Sequence, residues 1–204
     1  MIRNPIPWPN GARCACAITF DMDADSLIHI SRPKDGHDRL YPISMGRYGP
    51  TVGVPRILET YRKYGLKQSF FIPAWCIEQY PDAIEAILKD GHEIGHHGLI
   101  HEDPVETRGE AQRKAFETAL AIHQKRIGSK PRGYRAPVYN VTQQVIDLLV
   151  EHGFRYDSSL MADDIPYLMK TPSGSLWEVP VHWGTDDWPP FAHYAEIDYM
   201  MPVK

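Results

Sequence analysis

Between Gly91 and His101 the chain reads GHEIGHHGLIH, which gathers four of its ten histidines and one glutamate into a single short stretch. Neutral imidazole is the commonest metal ligand in proteins, and no packing requirement calls for so many of them side by side. The stretch therefore points to a metal ion. Two ligand patterns overlap in it. His92-Glu93-Ile94-Gly95-His96 spells the H-E-x-x-H of zinc peptidases, whereas His97 and His101 form an H-x-x-x-H pair. Which pair holds the ion decides the chemistry.

The peptidase pattern works on a continuous helix, where both histidines share a face and the glutamate acts as base. Gly91, Gly95 and Gly98 would each cost such a helix about 1 kcal/mol relative to alanine. Pro81 to Asp90 already makes an amphipathic helix, with Ala83, Ile84, Ile87 and Leu88 apolar and Gly91 placed to end it. His92 to Gly95 then reads as a short buried strand, with His96 onward at its end. The extended zincin signature also fails, because Leu99 and Glu102 stand where glycine and histidine are needed. His97 and His101 suit the strand-end context, since one helical turn would aim both at a common ion. Their plain alternative is a place in a solvated loop.

A third ligand must come from elsewhere. Cys14 to Phe20 is an apolar run consistent with a buried strand, and it ends in Asp21, Asp23 and Asp25. Alternation keeps Asp21 and Asp23 on one side while the chain stays extended. Two carboxylates at a strand end can divide the work, one holding metal and the other taking a proton. An Asx turn or helix cap accounts for one aspartate but not three.

The elements that must position these groups alternate along the chain. Helices are predicted at 54–64, closed by Gly65, at 81–90, at 110–127, closed by Gly128, and at 142–152, with Thr142 as N-cap and Gly153 as C-cap. Strands are predicted at 68–72, 92–95, 133–137, 154–157 and 176–181. Such βα repetition implies a parallel sheet, barrel or doubly wound. Asp21, Asp23, His97, His101, Arg135 and Asp157 all fall at or just after strand ends, the face on which barrel enzymes place their chemistry. Residues 26–53 read as one long irregular loop, a lid or a contact surface.

Thr19-Phe20-Asp21-Met22-Asp23, His97-Gly-Leu-Ile-His101 and Arg135-Ala-Pro137 together resemble the successive motifs of the polysaccharide deacetylase family, also called NodB-homology or carbohydrate esterase 4. The resemblance runs from about Ala15 to Trp183. His101-Glu102-Asp103-Pro104, Tyr156-Asp157-Ser158-Ser159-Leu160 and Glu178-Val179-Pro180 are similar to its intracellular branch of peptidoglycan-deacetylase-like proteins, cyclic imide hydrolases and an allantoinase-type enzyme. The resemblance implies an α/β fold, a distorted (β/α) barrel with fewer than eight units. It also implies a divalent metal, usually zinc, held by Asp23, His97 and His101. Asp21 is then the general base, oriented by Arg135, and Asp157 lies behind them or serves structure alone. The backbone N–H of Val138 stabilises the oxyanion, with Tyr139 and His182 at the substrate site.

Two departures stand out: Met22 separates aspartates that are adjacent in the family, and the family's late histidine, its general acid, has only His182 and His193 as candidates. A barrel takes about 250 residues, so at 204 residues one domain lacking its C-terminal βα units is expected, its uncovered edge favouring a homo-oligomer. The implied function is hydrolysis of a non-peptide C–N bond in an acetamido sugar, cyclic imide or ureide. The alternatives are a catalytically impaired metal-binding or interaction remnant, and a zinc peptidase acting through His92, Glu93 and His96.

Composition bounds the partners. A net charge of −4 gives no electrostatic case for nucleic acid or an anionic membrane. No apolar run reaches about 18 residues, and the proline-rich start lacks a signal-peptide core. Three cysteines make no disulfide framework, and Cys14 and Cys16 are expected to be buried on their strand. A cytoplasmic protein acting on a small-molecule or sugar amide is the expectation.

Overall fold

Seven strands form one sheet in the order β1-β2-β3-β4-β5-β7-β6 in the computed structural model, which describes residues 7–188. The strands are β1 (Thr19–Asp21), β2 (Ser69–Ile72), β3 (Glu93–His96), β4 (Gly133–Tyr134), β5 (Tyr156–Asp157), β6 (Tyr167–Thr171) and β7 (Gly174–Glu178). Every neighbouring pair is parallel except β6 with β7, an antiparallel hairpin that the sequence did not announce. The register lines up Ile72, His96, Tyr134, Asp157 and Glu178 across successive strands, so the residues just beyond them share one rim.

The helices are α1 (Ser26–Ser31), α2 (Leu40–Tyr48), α3 (Val54–Tyr64), α4 (Ala74–Gln79), α5 (Pro81–Lys89), α6 (Glu110–Ile127) and α7 (Gln143–Glu151). The expected helices at 54–64 and 110–127 form with those bounds, and Thr142 caps α7 by accepting from the Val145 N–H. Gly91, at φ +72°, ends α5 as expected, with Gly91 N–H donating to Leu88 O and His92 N–H to Ile87 O. This pair of reversed bonds is the Schellman arrangement, and it turns the chain straight into β3.

Two expectations fail. Residues 26–53 are mostly helical, forming α1, α2 and a π turn at Gly49–Gly53, with Gly46 of α2 set closely against the Ala24–Asp25 backbone just after β1. Short helices of this kind draw their stability from tertiary contact rather than from propensity, so no periodic signal marks them. Cys14 and Cys16 are exposed, since β1 is paired only from Thr19 to Asp21 and the run before it finds no strand.

Alternation sorts the sheet's two faces. Phe70, Ile72 and Ile94 point to the helices and pack with Leu58, Ile77, Ile84 and Ile87. A second apolar cluster sets Tyr134, Phe154 and Leu176 against Phe116 and Leu120 of α6 and Leu148 and Leu149 of α7. Full burial of one such side chain stabilises the fold by roughly 1.5–3 kcal/mol. On the opposite face, Gly95 makes room for the Phe71 ring: a Cβ there would lie 2.6 Å from Phe71 Cδ1.

Candidate metal centre

Asp23, His97 and His101 converge at the C-terminal rim of β1 and β3, with one potential ligand atom from each lying within 4.8 Å of the others. His97 Nε2 is 3.4 Å from Asp23 Oδ1, and His101 Nε2 is 3.4 Å from Asp23 Oδ2. For bonds of about 2.0–2.2 Å to a tetrahedral ion, ligand atoms stand roughly 3.3–3.6 Å apart. The spacing fits.

The hydrogen bonding behind the ligands fits as well. His97 Nδ1 lies 2.7 Å from the Arg135 carbonyl oxygen, which only accepts, so Nδ1 carries the proton and Nε2 presents a lone pair. Asp23 Oδ1, facing that nitrogen, is buried without a hydrogen-bond partner among the described residues. A lone pair and an unpartnered carboxylate oxygen in mutual contact are complementary to a cation between them. Burial disfavours charge on Asp23, but His101 and His97 outweigh it and hold its carboxyl down to about 2. Burial likewise opposes the His97 imidazolium, yet Asp21 and Asp23 leave that group above its ordinary value; for His101 burial prevails and lowers it.

The loop that brings the histidines together differs from the expected helical turn. Gly98 has φ +79° and His101 has φ +69°, so residues 98–101 make an irregular bend. Glu102, buried, holds that bend by accepting from the Leu99 N–H with both carboxylate oxygens and from the Ile100 N–H. A Cβ on Gly98 would meet Glu102 and Pro137 at 3.2 Å. On the other side, the Cys76 thiol donates to the Asp23 carbonyl at 3.1 Å. Asp25 is a structural carboxylate, buried and engaged by the Tyr80 hydroxyl and Arg47 Nε. Of the three acids at the end of β1 and just beyond it, Asp21 and Asp23 remain for chemistry.

Asp21 lies beside the ligands, with Oδ2 at 3.8 Å from His97 Nε2 and its side chain 25% exposed. Its Oδ1 accepts from Arg135 Nη1 at 2.7 Å. Arg135 is nearly enclosed. Nη1 also donates to Thr19 Oγ1, Nε to the Ser158 carbonyl at 3.0 Å and Nη2 to Ser158 Oγ at 2.9 Å, while the guanidinium lies 4.2 Å above the Phe71 ring. Burial disfavours its charge, but Asp21 outweighs this and raises its pKa.

Of the remaining candidates, Val138 sits at φ +51° and Tyr139 at φ +59° in the turn after Pro137. Positive φ at a β-branched residue costs about 1–3 kcal/mol and is sustained only where the surroundings enforce it. Tyr139 donates to Asp186 and packs edge-on to Trp183, 4.9 Å between centroids, closing one side of the rim. His182 is exposed and accepts from the Gly184 N–H, capping the Trp183–Thr185 turn. His193 lies outside the described residues.

The peptidase pattern is dismantled by strand geometry. His92 and His96 bracket β3, and four strand steps separate them by roughly 13 Å. His92 accepts from the Gln68 N–H and packs against Tyr61 and Phe70. His96 turns to the helix side, stacked on Phe116 at 4.7 Å. Glu93 accepts from Ser69 Oγ and the Tyr156 hydroxyl, in the layer beneath Phe71.

A parallel sheet carrying an Asp-His-His group with a second, arginine-fixed aspartate at its rim defines a NodB-type hydrolase fold. The chain belongs to the polysaccharide deacetylase family, whose sequence model matches residues 48–156. That family comprises hydrolases of C–N amide bonds. The chain is 29% identical to the peptidoglycan deacetylase of Helicobacter pylori over 199 residues, 85% of this chain and 67% of that protein. A Mycobacterium smegmatis crystal structure assigned to the polysaccharide deacetylases superposes with TM-score 0.90 and 38% identity, covering 95% of this chain and 67% of that one. The structure of Puue allantoinase aligns over 92% of this chain and 68% of its own, with TM-score 0.78 and 24% identity, a likeness of fold. The chain thus spans about two thirds of the length of these relatives.

Proposed function

We propose that this chain is a divalent-metal-dependent hydrolase that cleaves the C–N bond of an acetamido group on an N-acetylated sugar. The observation that carries the reading is one contact set: Asp21 lies against the Asp23–His97–His101 group with one oxygen pinned by Arg135 and the other turned toward the ligands. Asp23, His97 and His101 would hold the ion, which supplies Lewis acidity toward a carbonyl and toward water.

The chain's own residues supply the rest. Asp21 Oδ2 accepts the proton of the attacking water, while Arg135 fixes the carboxylate's direction through Oδ1. The strained turn at Val138 presents its N–H to the oxygen that gains charge, a role for which backbone donors are suited because they need no reorganisation. Tyr139, held by Asp186 and Trp183, forms the wall against which a sugar ring rests. No helix among the described residues is long and apolar enough to cross a membrane.

The test is hydrolysis of an N-acetylglucosamine oligomer, a cyclic imide and a ureide by metal-stripped protein, with and without added zinc. Zinc-dependent acetate release that falls about 10²–10⁴-fold in Asp21→Asn supports the reading. Turnover of the imide or ureide alone would move the substrate class. No turnover of any of the three, with zinc bound stoichiometrically, would leave a metal-binding protein without catalysis.

A further inference from the structure

Beneath the rim, Asp157 and Glu178 face each other in register on the neighbouring strands β5 and β7, both fully buried. Each has one oxygen well supplied. Asp157 Oδ1 accepts from Ser159 Oγ at 2.7 Å, and Glu178 Oε1 accepts from the N–H groups of Ser159 and Leu160 at 3.0 Å each. The other two oxygens, Asp157 Oδ2 and Glu178 Oε2, are buried without a donor among the described residues. Two contiguous buried carboxylates cannot both ionise, and a proton between the unsupplied oxygens would satisfy both at once.

The Ser158–Leu160 turn that this pair anchors is the same one that grips Arg135. Ser158 accepts from Arg135 Nε and Nη2, and Ser159 Oγ accepts from the Ala136 N–H at 2.9 Å. Arg135 in turn holds Asp21. We propose that Asp157 and Glu178 share a single proton at neutral pH and act as one positioning unit, locking the Ser158–Leu160 turn so that Arg135 directs Asp21. The last step rests on the reading of Asp21 as the base, whereas the shared proton and the locking of Arg135 do not.

The other charged and titratable groups facing the pair are consistent with a shared proton. Burial, and then the negative charge of Asp157, push the Glu178 carboxyl up to about 9; burial lifts Asp157 to about 6 against the hydrogen bond that a protonated Glu178 would donate and the one from Ser159. Arg135 at the end of β4 adds a stabilising positive charge toward Asp157. Tyr134 of β4 is raised by burial and then by the negative charges of Glu102 and Asp157, and Tyr167 of β6 by burial and then by Glu178 and Asp157. On α7, which packs over β7, Asp147 is engaged by Gln143 and Ser173, and Glu151 by Arg113.

A group raised in the folded state binds its proton more tightly there than in the unfolded chain, so its contribution to stability is lost as pH rises between the two values. The unfolding midpoint of the wild type should therefore fall between about pH 5 and pH 9. In Glu178→Gln the amide can donate to Asp157 Oδ2 and its oxygen can accept from Ser159 and Leu160, so geometry persists without a titrating proton. The experiment compares wild type, Glu178→Gln and Glu178→Ala by three measurements. At pH 7 the infrared carbonyl stretch of a buried protonated carboxyl is expected in the wild type and absent in Glu178→Gln, whose midpoint no longer falls over that pH range. The slowly exchanging Nε–H resonance of Arg135, assigned with Arg135→Lys, is expected in wild type and Glu178→Gln but lost in Glu178→Ala. If an amide substrate is turned over, kcat drops about 10–100-fold in Glu178→Ala and is restored in Glu178→Gln. A carboxyl band that survives in Glu178→Gln, or parallel stability curves, would overturn the shared proton. An intact Arg135 resonance in folded Glu178→Ala would overturn the positioning role.

Discussion

In the candidate metal centre, His97 and His101 are each held by a group behind them. The Arg135 carbonyl fixes the His97 tautomer, and Glu102 fixes the bend that presents His101. Replacing either histidine by alanine should abolish stoichiometric zinc binding in calorimetry, while His92→Ala, which alters a ring packed against Tyr61 and Phe70, should leave it unchanged. Zinc binding that survives His101→Ala but not His92→Ala would return the ion to the other pattern. Arg135→Lys separates binding from catalysis. A lysine cannot span Asp21, Thr19 and Ser158 with fixed donors, so kcat should fall about 10–100-fold while zinc affinity stays near wild type. Equal losses in both would make Arg135 a support of the ligands instead.

Elements decide which of these residues could be read in advance. Asp21 and Asp23 were legible because a strand's alternation and its abrupt end constrain where side chains point, and His97 and His101 because imidazoles crowd at that spacing, although the expected helical turn between them is an irregular bend. Thr19 shares that alternation with Asp21, so its bond to Arg135 was within reach of the same argument. Cys76 and the Ser158–Leu160 turn were not, because their partners lie in other elements and leave no periodic trace, and Glu102 was not because it bonds backbone N–H groups of its own irregular bend. The helices α1 and α2 escaped for a related reason, being held by contacts such as Arg47 with Asp25. The β6–β7 hairpin does carry a turn sequence, Pro172-Ser173-Gly174, but Tyr167–Thr171 mixes apolar and polar residues on both faces, so no strand was read there. One close approach gives an element-scale prediction. Gly95→Ala places a methyl within 2.6 Å of the Phe71 ring, on which Arg135 rests. We expect a loss of about 1–3 kcal/mol in urea unfolding, as for overpacked cores generally, together with reduced turnover. An unchanged midpoint would show that the ring has room to move.

At the scale of the whole molecule, an ion held by Asp23, His97 and His101 would add a link between the end of β1 and the loop after β3, segments that sheet pairing already brings together. Ligand binding to the folded state alone stabilises it by about 2.7 kcal/mol at a hundredfold excess over Kd. For a domain of this size that is a rise of roughly 5–10 °C in the unfolding midpoint, to be seen by calorimetry with zinc and absent in His97→Ala. A zinc-induced rise of the same size in His97→Ala would place the stabilising ion elsewhere. The linkage also has a chronology. His97 and His101 are near neighbours in the chain, but Asp23 reaches them only when β1 has paired with β2 and β2 with β3, and Arg135 contacts Asp21 across 114 residues. Parallel pairings of such long range form slowly, after local helices are in place. On the proposed reading, the Asp23–His97–His101 group would therefore be completed among the last events of folding. A refolding chain supplied with cobalt(II) should develop the metal's visible absorption only in its slowest phase, so that colour would time the completion of the sheet.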